Sequence, residues 1–161
     1  MKKFKSIAAC ALLASTGAAF AHGDTGHSAA TPAPAVQLPW GIAGQSAEAT
    51  RTITVAMTDD MRFSPAHFSV RQGETVRLRV ENRGRLLHEM VLGTPETLQK
   101  HADMMRERPG MEHAAPHMAH VAPGEAGDLP WRFNRAGTFD FACLVAGHYE
   151  AGMRGTFTVA P

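Results

Sequence analysis

The sequence predicts an all-β sandwich, and three observations predict it. Short runs alternate apolar and polar residues with a period of two, and Gly-containing turns separate those runs. A chain of 161 residues, 44% of them hydrophobic, also has room for one domain with a proper core. Charge is nearly balanced, with 16 Lys and Arg against 15 Asp and Glu, so no nucleic-acid partner is indicated. Two Cys cannot build a disulfide framework. What the composition offers instead is nine Met and nine His.

The elements follow in chain order. Met1-Lys2-Lys3-Phe4-Lys5 is a basic start, Ile7 to Ala14 is an apolar run, and Ala19-Phe20-Ala21 places small residues where a signal peptidase reads. Residues 1–21 are therefore expected to be a signal peptide cleaved after Ala21, too short to span a bilayer, which sends the protein to the periplasm and not into the membrane. Cleavage removes Lys2, Lys3 and Lys5, taking the net charge from +1 to −2 and the length from 161 to 140 residues. Cys10 leaves as well. The surviving thiol, Cys143, sits in an oxidising compartment and calls for burial, a partner chain or a metal.

Residues 22–49 are rich in Ala, Gly, Pro and Ser without period, and read as a flexible His-containing tail. From Arg51 the pattern is β. Ile53, Val55 and Met57 alternate with polar or small residues, as do Val76, Leu78 and Val80, then Phe139 and Phe141, then Phe157 and Val159. Turn signals stand at Arg71-Gln72-Gly73-Glu74, Asn82-Arg83-Gly84, Pro123-Gly124-Glu125 and Arg135-Ala136-Gly137. Residues 94–125 break the style. Pro95 to Glu107 fits a helix stopped by Pro109-Gly110, and a loose stretch runs on to Val121, so the whole reads as an insertion between strands. His67, at a strand start with no visible partner, reads as structural.

The chemistry concentrates near the C-terminus. A strand delivers Cys143; four residues later comes His148, four more bring Met153, and Gly147 and Gly152 let the loop fold back. Cys143 shares parity with Phe139 and Phe141, which points its sulfur inward. In the run Leu86 to Leu92, His88 shares parity with Met90 and Leu92, although Leu87 and Val91 make the other face apolar too. Two imidazoles, a thiolate and a thioether are the donor set of a mononuclear copper electron-transfer site; structural zinc wants four strong ligands, and Met is a poor one. A Cys/His nucleophile pair would leave Met153 without purpose and has no visible oxyanion motif.

Through His88 and the Cys143-x4-His148-x4-Met153 loop, residues 50–161 resemble the cupredoxins of plastocyanin/azurin type. The leader, the His/Met-rich segment and the Gly147-to-Met153 stretch look most like periplasmic copper-tolerance cupredoxins of the CopI type. The resemblance implies a Greek-key β-sandwich or barrel and one copper, of the blue or green type 1 kind, held by His88, Cys143, His148 and Met153. Two departures stand out. Glu89 follows the first His where plastocyanins and azurins usually carry Asn, and Leu87 stands where azurin has a glycine carbonyl ligand.

A second group crowds residues 101–120: His101, Met104, Met105, Met111, His113, His117, Met118 and His120. Few branched apolar residues accompany them, which argues against a packed face and for accessory Cu(I) or Cu(II) binding. On a helix, His101 and Met105 share a face with Met104 adjacent; His113 and His117 have the same spacing, but Pro116 opposes a helix through them. After cleavage, His22 would be the N-terminus and could chelate Cu(II), with His27 as a further donor.

The expected function is copper tolerance, by binding, buffering or redox conversion of periplasmic copper, in a binding protein and not an enzyme. The alternative is a soluble electron shuttle with a redox partner protein, which needs an exposed apolar patch near His148. A copper oxidase or nitrite reductase would need a further His cluster for a second catalytic copper, and usually a second domain.

Overall fold

In the computed structural model, residues 35–111 and 113–161 are described. The expected signal peptide and the candidate ligands His22 and His27 lie outside them. Among the described residues, ten strands pair into two five-stranded sheets. They run β1 (Ile42–Ala43), β2 (Arg51–Thr58), β3 (Arg62–Ser64), β4 (His67–Arg71), β5 (Glu74–Asn82) and β6 (His88–Gly93), then helix α1 (Pro95–Glu107), then β7 (Met118–Val121), β8 (Ala126–Phe133), β9 (Gly137–Ala142) and β10 (Arg154–Ala160). The first sheet is ordered β1-β8-β5-β2-β3 and the second β4-β10-β9-β6-β7. The all-β expectation holds.

Period-two alternation becomes a core between the sheets. Val76, Leu78 and Val80 of β5 are fully buried, as are Phe141 of β9 and Phe157 of β10. Phe68 stacks on Phe157 with ring centroids 5.4 Å apart, and Phe63 meets Phe141 edge-on at 4.9 Å. Gly155 pairs with Phe141 across the β9/β10 ladder, and the Phe141 ring leaves no room there for a Cβ. β8 alternates Leu129, Trp131 and Phe133 inward around Pro130, whose carbonyl accepts from Gly44 N–H at 3.1 Å. His67 donates to or accepts from Thr156 Oγ1 at 2.8 Å, joining β4 to β10 as a structural residue.

Two expectations need correction. The tail reading of 22–49 fails over its described part. Trp40 is only 4% exposed, its carbonyl accepts from Trp131 Nε1 at 3.0 Å, and β1 pairs with the open side of β8. An edge strand of two residues carries too little alternation to show in a Pro- and Ala-rich segment.

The loose stretch of 94–125 is also more ordered than expected. α1 forms as anticipated, started by Pro95 and by Thr94 and Thr97 capping each other reciprocally (3.2 and 2.9 Å). β7 then returns the chain as a strand antiparallel to β6. Nor is the segment without a packed face. Leu98, Ala102 and Met105, at helical spacing, bury against Val91, Ala142, Leu144 and Tyr149 on the outer side of the second sheet. This second core explains why β6 is apolar on both faces: Met90 and Leu92 point between the sheets, and Val91 points to the helix.

Candidate metal centre

β9 ends at Ala142 and hands Cys143 to the interior, fully buried. The following loop is a closed hairpin. Cys143 N–H donates to Met153 O at 3.1 Å, Met153 N–H to His148 O at 3.0 Å, and His148 N–H to Val145 O at 2.9 Å. Gly147 (φ +87°) and Gly152 (φ +89°) supply the left-handed residues that close it. Backbone bonds thus tie all three side chains of the Cys-His-Met pattern to one another. Met153 is fully buried beside Cys143 in the inter-sheet core.

β6 supplies the fourth side chain. The His88 ring, completely buried, lies between a sulfur and a carboxylate: Nδ1 is 4.0 Å from Cys143 Sγ, and Nε2 is 3.0 Å from Asp59 Oδ1. His148 Nδ1 stands 3.3 Å from the same sulfur, and the two imidazoles are 5.0 Å apart at 49°. One donor atom each from His88, Cys143 and His148 falls within 4.8 Å of the other two. The four predicted ligands are brought together.

The electrostatics suit a cation of soft character. Burial pushes the Cys143 thiol up to about 12, against the opposing pull of the Glu89 and Val145 N–H groups. Burial, and then His88, lower the pKa of His148. Asp59 is held below the usual carboxylate range, first by the Arg85 N–H and also by His88 and Leu86. As an ionised acceptor it receives a hydrogen bond from His88 Nε2–H, which leaves the Nδ1 lone pair facing the sulfur. Two imidazoles, a thiol that would release its proton to solvent as a metal binds, and a thioether fit copper.

Sequence reasoning missed Asp59 and Asn82. Asp59 accepts from Arg85 N–H (2.8 Å) and Leu86 N–H (3.2 Å) as well as from His88. Asn82 donates to the carbonyls of Leu86 and Val121, both at 2.8 Å, and accepts from Gly84 N–H at 2.9 Å. Together they brace the loop that leads into His88. The one available signal was their position in turns, where Asp and Asn bond to the backbone. Glu89, noted as a departure, is 1% exposed; its Oε1 accepts from Leu144 N–H at 2.9 Å, and its own N–H reaches Cys143 Sγ at 3.4 Å.

The accessory candidates divide. His101, His113 and His120 cluster, with ring centroids 4.6 Å apart for the first pair and 5.7 Å for the second. His117 packs instead against the edges of Trp40 (5.6 Å) and Trp131 (6.4 Å). Met105 belongs to the helix core, Met111 and Met118 pack against it, and Met104 is exposed. Three of the four imidazoles gather; the thioethers mostly serve packing.

Residues 49–160 match the family of copper binding proteins described as plastocyanin/azurin. The chain is 48% identical over 150 residues to the copper-resistant cuproprotein CopI of Rubrivivax gelatinosus, covering 92% of this chain and 91% of that one. It is 34% identical over 161 residues to the copper-resistant cuproprotein CopI of Pseudomonas aeruginosa, covering 82% and 88%. In fold it is similar to reduced auracyanin from Roseiflexus castenholzii, with a TM-score of 0.61 at 24% identity over 70% of this chain and 99% of that one. With its ligand loop closed on a buried histidine of β6, the chain belongs to the plastocyanin/azurin family of copper-binding proteins.

Proposed function

We propose that this chain is an exported, periplasmic cupredoxin with a mononuclear type 1 copper site, acting in copper tolerance by binding, buffering or redox conversion of copper. The observation that carries the reading is the convergence of His88, Cys143 and His148 donors within 4.8 Å, on a loop that also pairs Met153 with Cys143. Copper bound there supplies one-electron chemistry between its cuprous and cupric states. The residues do the rest. Asp59 orients His88, the Glu89 N–H stabilises negative charge on the sulfur, and the buried hairpin keeps donor positions fixed when charge changes. Tolerance, as opposed to another use of the same site, is supported by the similarity to two copper-resistant cuproproteins.

One observation favours electron transfer between proteins as a second reading. Leu86 and Leu87, next to His88, are each 47% exposed and form an apolar surface at the edge of the site. The experiment that separates the readings is copper challenge of a strain lacking the protein, complemented with wild type or Cys143→Ser. Copper sensitivity rescued by wild type alone is the expected result. Normal growth under copper excess, with impaired respiration, would replace tolerance by the shuttle.

A further inference from the structure

Outside the copper loop, three imidazoles from separate elements meet beneath the helix: His101 of α1, His113 of the following loop and His120 of β7. Two of their nitrogens pose a physical problem. Nε2 of His101 and Nε2 of His113 are both buried with no hydrogen-bond partner among the described residues. Orphaned buried polar atoms are uncommon because they give up water without replacement, and two adjacent ones ask for a ligand.

The surroundings specify which kind. Nδ1 of His113 lies 3.1 Å from the carbonyl of Met111, which can only accept, so the proton sits on Nδ1 and the orphaned Nε2 carries a lone pair. The His101 ring is centred 4.6 Å from that of His113, so its own orphaned Nε2 belongs to the same buried cluster. Nε2 of His120 is 2.6 Å from Oε2 of the buried Glu89, the carboxylate–histidine pairing that orients metal-bound imidazoles. A surface cleft lined by Leu87, His113, Ala114 and His120 gives access from solvent.

We infer that His101, His113 and His120 form a second metal site, with Glu89 positioning His120, for a divalent late first-row cation: Cu(II) ahead of Zn(II). The site is imidazole-rich, not thioether-rich, because Met105 is committed to the helix core and Met104 faces out. Among the described residues only His88, Cys143 and His148 already have donor atoms all within 4.8 Å, so the three imidazoles close on the ion by side-chain rotation. The site shares no ligand with the first centre and stands whether or not that centre is type 1.

The test is Cu(II) titration of the full mature chain against the double variant His101→Ala/His113→Ala, following bound copper and its electron paramagnetic resonance. The variant is expected to lose one copper equivalent, or to bind it at least tenfold more weakly, while keeping the Cys143-dependent visible absorption. Equal stoichiometry and affinity in both proteins would overturn the site. Should the variant not fold, Zn(II) added to wild type whose first centre is filled with copper gives the answer. Shifts of the His101, His113 and His120 imidazole nitrogen resonances support the site, and unchanged resonances overturn it.

Discussion

Asp59 lies outside the ligand set, yet it decides where the proton of His88 resides. Replacing it by alanine removes the acceptor from three donors at once: His88 Nε2 at 3.0 Å, Arg85 N at 2.8 Å and Leu86 N at 3.2 Å. Asp59 is itself 36% exposed, so water enters where its carboxylate stood, but a mobile water both donates and accepts and no longer fixes one tautomer of His88. Loss of such an orienting contact weakens metal binding by about 10–100-fold, which is the fall expected for Asp59→Ala. Asp59→Asn should fall less, to about tenfold or under, because its amide oxygen can still accept from His88 while its NH2 cannot accept from Arg85. Arg85 and the other donors keep Asp59 below the ordinary carboxylate range, so it stays ionised above pH 5. Its contribution is present above the unfolded value of 3.8 and lost as pH falls through the lower folded value, so the deficit of Asp59→Ala should be flat between pH 5 and 8. Competition for Cu(I) with a chromophoric chelator reads the affinity, and apo-protein melting separates ligand orientation from loop collapse. Wild-type affinity and reduction potential in Asp59→Ala would refute the role.

Three further outcomes follow from the packing and the titration. Trp40→Ala should cost about 3–5 kcal/mol in denaturant unfolding, because a 4%-exposed indole leaves the core; a change near zero would return the segment to a free tail. Met105→Ala should cost about 2–5 kcal/mol without changing copper stoichiometry, and Met104→Ala should alter neither; loss of a copper equivalent in either would show the thioethers to be ligands. In the apo-protein the native Cys143 thiol keeps its proton between 9.0 and about 12 where the unfolded chain gives it up. Stability from this group is therefore complete below pH 9 and declines as pH rises towards 12. Urea midpoints measured across that range should fall more steeply for wild type than for Cys143→Ala, and parallel curves would contradict the burial argument.

How much was legible depended on whether a signal was local. Cys143, His148 and Met153 sit on one eleven-residue hairpin, so spacing and strand parity sufficed to group them. His88 was found by parity with Met90 and Leu92 despite the puzzling apolar Leu87 and Val91. That puzzle resolves only with α1 in place, because Val91 packs against Leu98 and Met105, contacts no periodicity count contains. Asp59 precedes its histidine by 29 residues, and only the folded chain brings the turn after β2 beneath β6. The His/Met crowd misled in another way. Composition treats Met105 and His101 alike, but one side of α1 needs a hydrophobe against Leu144, and Met supplies it. Trp40 was hidden by its Pro- and Ala-rich neighbours, since pairing with β8 is a property of the partner strand.

Everything proposed for the site depends on Cys143 binding copper as a thiolate between His88 and His148. The direct measurement is the visible and electron paramagnetic resonance spectrum of the Cu(II)-loaded protein beside that of Cys143→Ser. Intense thiolate-to-copper absorption is expected in the wild type, and its abolition in the serine variant, whose remaining bound Cu(II) is nearly colourless. A serine variant that stays coloured, or a wild type that binds copper without that absorption, would contradict it.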